Sequence, residues 1–177
     1  MINLLAENTG LPRMLFTSDS DEWATPRELF DWLDQTFTFT LDAASTHENA
    51  KCARHFTIDE DGLAQSWAGE RVFLNPPYSQ IAPWMKKSYE SARDERATVV
   101  CLVAARTDTR WWQDWVRDKA NEVEFLAGRV TFSRPGKTAN TAPFPSAIVI
   151  YRPPIQRSHT RPPVARVAGE PTKKGSN

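Results

Sequence analysis

Cysteine is scarce: Cys52 and Cys101 are the two in 177 residues. They form no C-x-x-C pattern, so neither a disulfide framework nor a cysteine zinc site organises the chain. A reducing, cytoplasmic setting fits that usage. Cys101 lies in an apolar run and reads as a buried thiol. The three histidines, His47, His55 and His159, are scattered, which suits solvated or packing roles and offers no metal ligand set. No apolar run approaches the roughly 20 residues that span a bilayer, so no membrane partner is expected. Met1 to Arg13 holds one arginine and a few apolar residues but no signal-peptide core. An excess of either charge is also missing, with 22 basic and 22 acidic residues. That balance removes the simplest argument for a nucleic-acid partner, a strongly basic chain.

What is present argues for a packed core. Hydrophobic residues make up 40% of the chain, with seven Trp and nine Phe, which excludes a wholly disordered polymer. The length suits one domain. Residues 1–20 read as an irregular lead-in and 21–152 as the domain. Residues 153–177, with Pro153-Pro154, Pro162-Pro163 and a Lys, Arg, Ser and Gly mixture, read as a basic disordered tail.

Within the domain, Thr25-Pro26-Arg27-Glu28 predicts a helix start: Thr as cap, Pro at the first position, Glu closing a capping box. The apolar stripe Leu29, Phe30, Leu33 carries that helix to about Gln35. Phe37, Phe39 and Leu41 alternate with Thr38 and Thr40, predicting a strand that runs into Asp42-Ala43-Ala44-Ser45. Residues 45–70 read as a small helix or irregular stretch with an acidic loop at Asp59, Glu60 and Asp61. Arg71 to Leu74 is a short strand. Ser79 suits a cap for a helix with Trp84, Met85, Tyr89 and Ala92 inward. The continuous apolar run Ala97 to Ala105 predicts a strand buried on both faces of a parallel sheet. A Trp-rich helix follows, its buried face formed by Trp111, Trp112 and Trp115. Val123 to Leu126, Val130 to Phe132 and Ser146 to Tyr151 are strand-like. Strands alternating with helices imply an α/β fold with a mostly parallel central sheet and flanking helices.

Chemistry concentrates in Asn75-Pro76-Pro77-Tyr78, directly after a predicted strand. In an open parallel sheet, the carboxyl ends of the strands form the ligand crevice. Two prolines fix the backbone and remove two N–H donors. The remaining groups are acceptors: backbone carbonyls and the Asn75 side-chain carbonyl. Such acceptors can hold both hydrogens of an exocyclic amine and aim its lone pair. Tyr78 adds a face for a base, worth about 1–3 kcal/mol in nucleic-acid sites. Without other context, the same four residues also suit a rigid strand exit.

The tetrapeptide resembles the (D/N/S)PP(Y/F/W) signature of S-adenosylmethionine-dependent amino-methyltransferases. Further segments extend the likeness: Trp23-Ala24-Thr25-Pro26, Leu41-Asp42-Ala43-Ala44-Ser45, Asp61-Gly62-Leu63 with Trp67, and Phe73 to Ser79. Arg106 to Trp112, Gly128 to Phe132 and Pro143-Phe144-Pro145-Ser146 complete it. Together these resemble the phage-encoded DNA N6-adenine methyltransferases over roughly residues 20–151.

The resemblance implies a Rossmann-like fold with a cofactor pocket and a base pocket side by side, S-adenosylmethionine as cofactor, no metal, and DNA as partner. It implies methyl transfer to a flipped adenine in bacterial host cytoplasm, in DNA methylation or restriction–modification. Asn75, Pro76, Pro77 and Tyr78 are then the catalytic residues. Trp23, Thr25, Pro26, Asp42, Ala43, Ala44, Asp61, Leu63 and Asn75 are the cofactor-binding set. Ser79, Arg106, Arg110 and Arg129 face nucleic acid. The chain departs from related enzymes at Leu41 to Ser45, where a Gly-rich loop is usual and alanines stand instead. The tetrapeptide alone also suits a cytosine N4, an RNA adenine or a protein glutamine. The missing glycines leave room for a non-catalytic nucleic-acid-binding module.

The zero net charge hides a gradient. Residues 1–70 carry 4 basic and 13 acidic groups, net −9; residues 71–151 carry 12 and 8, net +4; residues 152–177 carry 6 and 1, net +5. The acidic third holds the proposed cofactor segments, and the basic remainder begins at the tetrapeptide. Deleting 153–177 should leave the fold intact and weaken DNA binding most at low salt, because a basic tail acts through counterion release. A binding titration across salt concentrations checks this, and an unchanged salt slope excludes the tail from DNA contact.

Overall fold

The structure is a computed structural model. It describes residues 24–134 and 137–155, and only the backbone between 133 and 140. The lead-in 1–20, Trp23, His159 and the tail beyond residue 155 lie outside the described residues.

Helix α1 spans Arg27–Phe37. Leu29, Phe30, Leu33 and Phe37 form its inner stripe. The expected capping box does not form. Pro26 occupies the N-cap position, and no side chain caps the helix. The helix also outlasts its predicted end. Thr38 turns left-handed at φ 47°, and its amide donates to the Asp34 carbonyl at 2.8 Å. The Phe39 amide donates to Asp34 Oδ1 at 2.7 Å. Asp34 thus takes residues 38 and 39 out of the expected strand, and β1 is only Leu41–Asp42.

Residues 45–70 are irregular turns, held to β1 by a bridge between Asp42 and His55. Strand β2 is Arg71–Leu74. The chain then makes one 3₁₀ turn, Tyr78–Gln80, and enters α2, Ile81–Asp94. Ser79 therefore sits inside a turn and not at the cap, which is Gln80. Strand β3 is Thr98–Ala104, α3 is Arg110–Trp115 and β4 is Glu122–Phe125. Within α3 only Trp112 is buried; Trp111 and Trp115 are half-exposed. Strands β5, Thr131–Arg134, and β6, Lys137–Thr141, form a separate hairpin. Lys137-Thr138-Ala139-Asn140-Thr141 shows no apolar alternation, and its pairing with β5 is what makes it a strand. Strand β7, Ser146–Tyr151, is buried throughout.

The main sheet has the order β1-β2-β3-β7-β4. Strands β1, β2 and β3 pair in parallel, while β7 runs antiparallel to both β3 and β4. The sheet is mixed, parallel at the β1 end, and not parallel at its centre as the sequence suggested. An unbroken apolar run reports burial on both faces, which a covered strand of either direction satisfies.

Both faces are covered. On one, α2 and α3 pack Trp84, Met85 and Trp112 against Leu74, Val99, Cys101 and Val149. On the other, α1 and the hairpin pack Phe30, Leu33, Val130 and Phe132 against Phe73, Val100 and Ile148. Phe73 is 1% exposed and meets Phe30 edge-on at 5.1 Å and Phe39 at 5.5 Å. Phe73→Ala should cost about 3–5 kcal/mol, since α1 cannot follow a collapsing cavity without losing its other contacts. Urea unfolding of the variant measures that loss.

Candidate active site

Because β1, β2 and β3 run parallel, their carboxyl ends reach one edge of the sheet. Register pairs Asp42 with Phe73 and Leu74 with Cys101. The segments leaving that edge are Ala43-Ala44, Asn75 to Tyr78, and Ala105-Arg106. Strand β7 begins there because it runs the other way, with Ser146 opposite Ala104. Phe144, two residues before β7, is carried to the same edge.

A cleft of about 450 Å³ opens beside these ends. Ala43, Ala44, Asp61, Leu63, Asn75 and Ser79, all sequence candidates, line it with Pro77. Its wall also contains Phe56, Ile58, Gly62 and Trp84, and the carboxylates Glu48, Asp59 and Asp61; among the described residues no Lys or Arg lines it. Ile58 is 92% exposed, a large apolar side chain at the cleft.

The Asp61-Gly62-Leu63 turn is seated by its neighbours. Asp61 adopts φ 49°, and its Oδ1 accepts from the Leu63 amide at 3.2 Å. The buried Trp67 indole donates to the Gly62 carbonyl at 3.1 Å. A Cβ on Gly62 would lie 2.3 Å from the Ala43 carbonyl oxygen and 3.0 Å from the Trp84 ring. Glycine here lets the loop close directly onto the end of β1.

Asp42 does not line the cleft. Its side chain is buried at the end of β1, where Oδ2 accepts from the Lys51 amide at 2.9 Å. Burial raises its pKa above the ordinary carboxylate value, opposed by backbone hydrogen bonds from Lys51 and Ala44. Asp42 thereby anchors the chain that follows β1. His47 and His55, apart in sequence, meet at the cleft margin: His47 Nδ1 lies 2.9 Å from His55 Nε2. His55 Nδ1 faces the Ala53 carbonyl at 3.2 Å.

Asn75 joins the cleft to the tetrapeptide. Its Nδ2 donates to Thr25 Oγ1 at 3.1 Å, across 50 residues of sequence. Thr25 is 3% exposed, Pro26 is half-buried, and neither lines the cleft. Pro76 is buried. The Tyr78 ring lies outside the cleft wall and packs edge-on against Phe144, with centroids 5.2 Å apart. Burial raises the Tyr78 pKa well above the ordinary phenol value, so it stays protonated at neutral pH. The Arg106 guanidinium sits 5.4 Å from the Phe144 ring. Arg110 and Arg129 are exposed, Arg110 beside Asp114 at 3.4 Å, and neither is brought to this group.

Sequence reading thus passed over Phe144, Gly62 and Trp84 as site residues. Phe144 and Gly62 stood inside segments already noticed, but their contacts depend on strand direction and loop seating. No cluster of three His, Cys, Asp or Glu side chains suitable for a metal occurs among the described residues. No helix among them is long and apolar enough to cross a membrane.

A three-layered α/β chain with a cleft at the parallel strand ends and an Asn-Pro-Pro-Tyr exit beside it has the fold class of a methyltransferase. Residues 14–168 match the family described as DNA N-6-adenine-methyltransferase (Dam). A DNA N-6-adenine-methyltransferase of Haemophilus phage HP1 is 29% identical over 140 residues, 77% of this chain and 81% of the phage protein. One of Escherichia phage T1 is 30% identical over 113 residues, 63% of this chain and 47% of that protein. The putative methyltransferase YfdM of Escherichia coli K12 is 38% identical over 88 residues, covering 45% and 91%. The chain belongs to the DNA N-6-adenine-methyltransferase (Dam) family and is an adenine-specific DNA methyltransferase. That membership selects DNA adenine over the cytosine, RNA and glutamine alternatives, and an enzyme over a binding module.

Gly62→Ala tests the seating of the cleft floor. The added methyl should push the loop from Ala43 and lower stability by about 1–3 kcal/mol, as overpacking does. A urea midpoint equal to that of the parent would show that the loop does not rest on β1.

Proposed function

We propose that the cleft binds S-adenosylmethionine, and that an adenine flipped from DNA enters beside it against Asn75, Pro76 and Tyr78. The observation that carries this reading is the double membership of Asn75. It lines the cleft, and it belongs to the turn whose Tyr78 packs with Phe144 outside that cleft. One residue therefore belongs both to the cleft wall and to the turn that carries Tyr78.

The cleft suits the cofactor. Its volume falls in the roughly 300–1,000 Å³ range of small-molecule sites. Its three carboxylates and absent Lys and Arg match a ligand carrying a sulfonium and an ammonium. Ala43, Ala44 and Gly62 form a wall with little side-chain bulk. Small residues on a short strand exit serve where related enzymes use glycines. Asp61 and Leu63 would contact the adenosine end, while Asp42 holds the Lys51 turn in place. The same reading makes the mixed sheet a Rossmann-like methyltransferase sheet, with its ligand at the parallel strand ends.

When bound, the cofactor supplies a methyl group on a sulfonium, an electrophile that needs no activation. The protein's task is positioning. The Asn75 side-chain carbonyl and the Pro76 carbonyl are acceptors for the two amine hydrogens, directing the nitrogen lone pair toward the cleft. Tyr78, neutral and fixed by Phe144, offers a ring face and not a proton. Base extrusion costs a few kcal/mol, which stacking and these hydrogen bonds offset. Ser79, Arg106, Arg110 and Arg129 would meet the DNA backbone, with Arg106 nearest the base compartment.

Asn75→Ala should abolish methyl transfer and retain the fold and most cofactor affinity. Incubation with labelled S-adenosylmethionine and unmethylated DNA, followed by digestion to nucleosides, checks it. The parent should yield N6-methyldeoxyadenosine and the variant none; full activity in the variant would overturn the assignment.

A further inference from the structure

We propose that Thr25 is a positioning residue for Asn75: its hydroxyl accepts the Asn75 Nδ2 hydrogen and thereby holds the Asn75 side chain in the orientation that meets the substrate amine. The inference rests on the reading of Asn75 as the amine-binding group and adds what holds that group in register.

Two separate observations support it. The first is the contact itself. Asn75 Nδ2 reaches Thr25 Oγ1 at 3.1 Å, and Thr25 is 3% exposed. An Asn amide is nearly symmetric in shape, and rotation by half a turn exchanges its carbonyl for its NH₂. With NH₂ outward, the site would present donors to a donor. The Thr25 hydroxyl, which can donate as well as accept, pins the amide in place; with Nδ2 on Thr25, Oδ1 is the opposite end of the amide. The buried position of Thr25 shields the hydrogen bond from competing water.

The second is what Thr25 does not do. It stands one residue before the N-cap of α1, in a sequence suited to a capping box. Yet no side chain caps the helix. A threonine cap would stabilise the helix start. The helix begins without that contribution, and the hydroxyl lies against Asn75 instead. Pro26, which has no amide hydrogen, lowers the number of donors left unsatisfied at the uncapped end. Thr25 also lies outside the cleft wall, and its hydroxyl meets Asn75.

Thr25→Val keeps the shape and removes the acceptor; Thr25→Ser keeps the acceptor. Steady-state methylation of DNA and equilibrium binding of S-adenosylmethionine should be measured for the parent and both variants. The expected result is a kcat loss of roughly 10²-fold in the Val variant, the scale of a misplaced reacting group. Cofactor Kd should stay within about twofold, and Ser should restore most of kcat. An unchanged kcat in the Val variant overturns the proposal, as does a weakened cofactor Kd with kcat intact, which would place Thr25 on the cofactor. An inactive parent, or an active Asn75→Ala variant, would defeat the underlying reading of Asn75, separately from the role of Thr25. Should the Val variant not fold, hydrogen exchange at the Asn75 side-chain amide of the parent decides. Protection of one Nδ2 hydrogen supports the bond, and exchange at the rate of a solvated amide refutes it.

Discussion

Strands β1, β2 and β3 end at one edge of the sheet because they run parallel, and β7 begins there because it runs against them. Everything at the site depends on that meeting. Ala43-Ala44, Asn75 to Tyr78 and Arg106 leave the edge, and Phe144 arrives at it. If β7 were reversed, Phe144 would be at the far end of the sheet. The parallel strands build the cleft and the tetrapeptide beside it, while the antiparallel one supplies the ring against Tyr78.

Charge follows the same division. The chain sums to zero, yet the cleft wall carries Glu48, Asp59 and Asp61, all from the acidic first third. Arg106, from the basic middle, sits over Phe144, which packs on Tyr78 outside the cleft wall. The cofactor and DNA sites proposed above call for opposite fields within a short distance, and the acidic cleft wall and Arg106 both lie at the sheet edge where β2 ends. Net charge therefore says little about this partner; the placement of charge around one turn says more.

Polar groups near the edge are committed to holding backbone in place. Asp42 accepts the Lys51 amide, Asp61 turns its own loop, Trp67 pins Gly62, and Thr25 meets Asn75. Each contact fixes a loop that no strand ladder supports. Together they let a site built largely from irregular chain hold its geometry, with the apolar layers of α1 on one face and α2 on the other as the rigid base.

The sequence carried the α/β class, most element positions, the buried faces of β3 and β7, and the tetrapeptide at a strand exit. These are local properties: periodicity, apolar runs and turn residues act within a few positions. It also pointed to Ala43, Ala44, Asp61, Leu63 and Asn75, which share one cleft. Tertiary structure alone decided the direction of β7, because an apolar run records burial and is blind to polarity. It decided that Asp34 would end the predicted first strand, that Asp42 would turn inward to Lys51, and that His47 would find His55. Thr25 shows the limit most plainly. Its sequence neighbourhood suits a helix cap, yet its partner lies 50 residues away, and a hydrogen bond is decided by which group is nearest in space.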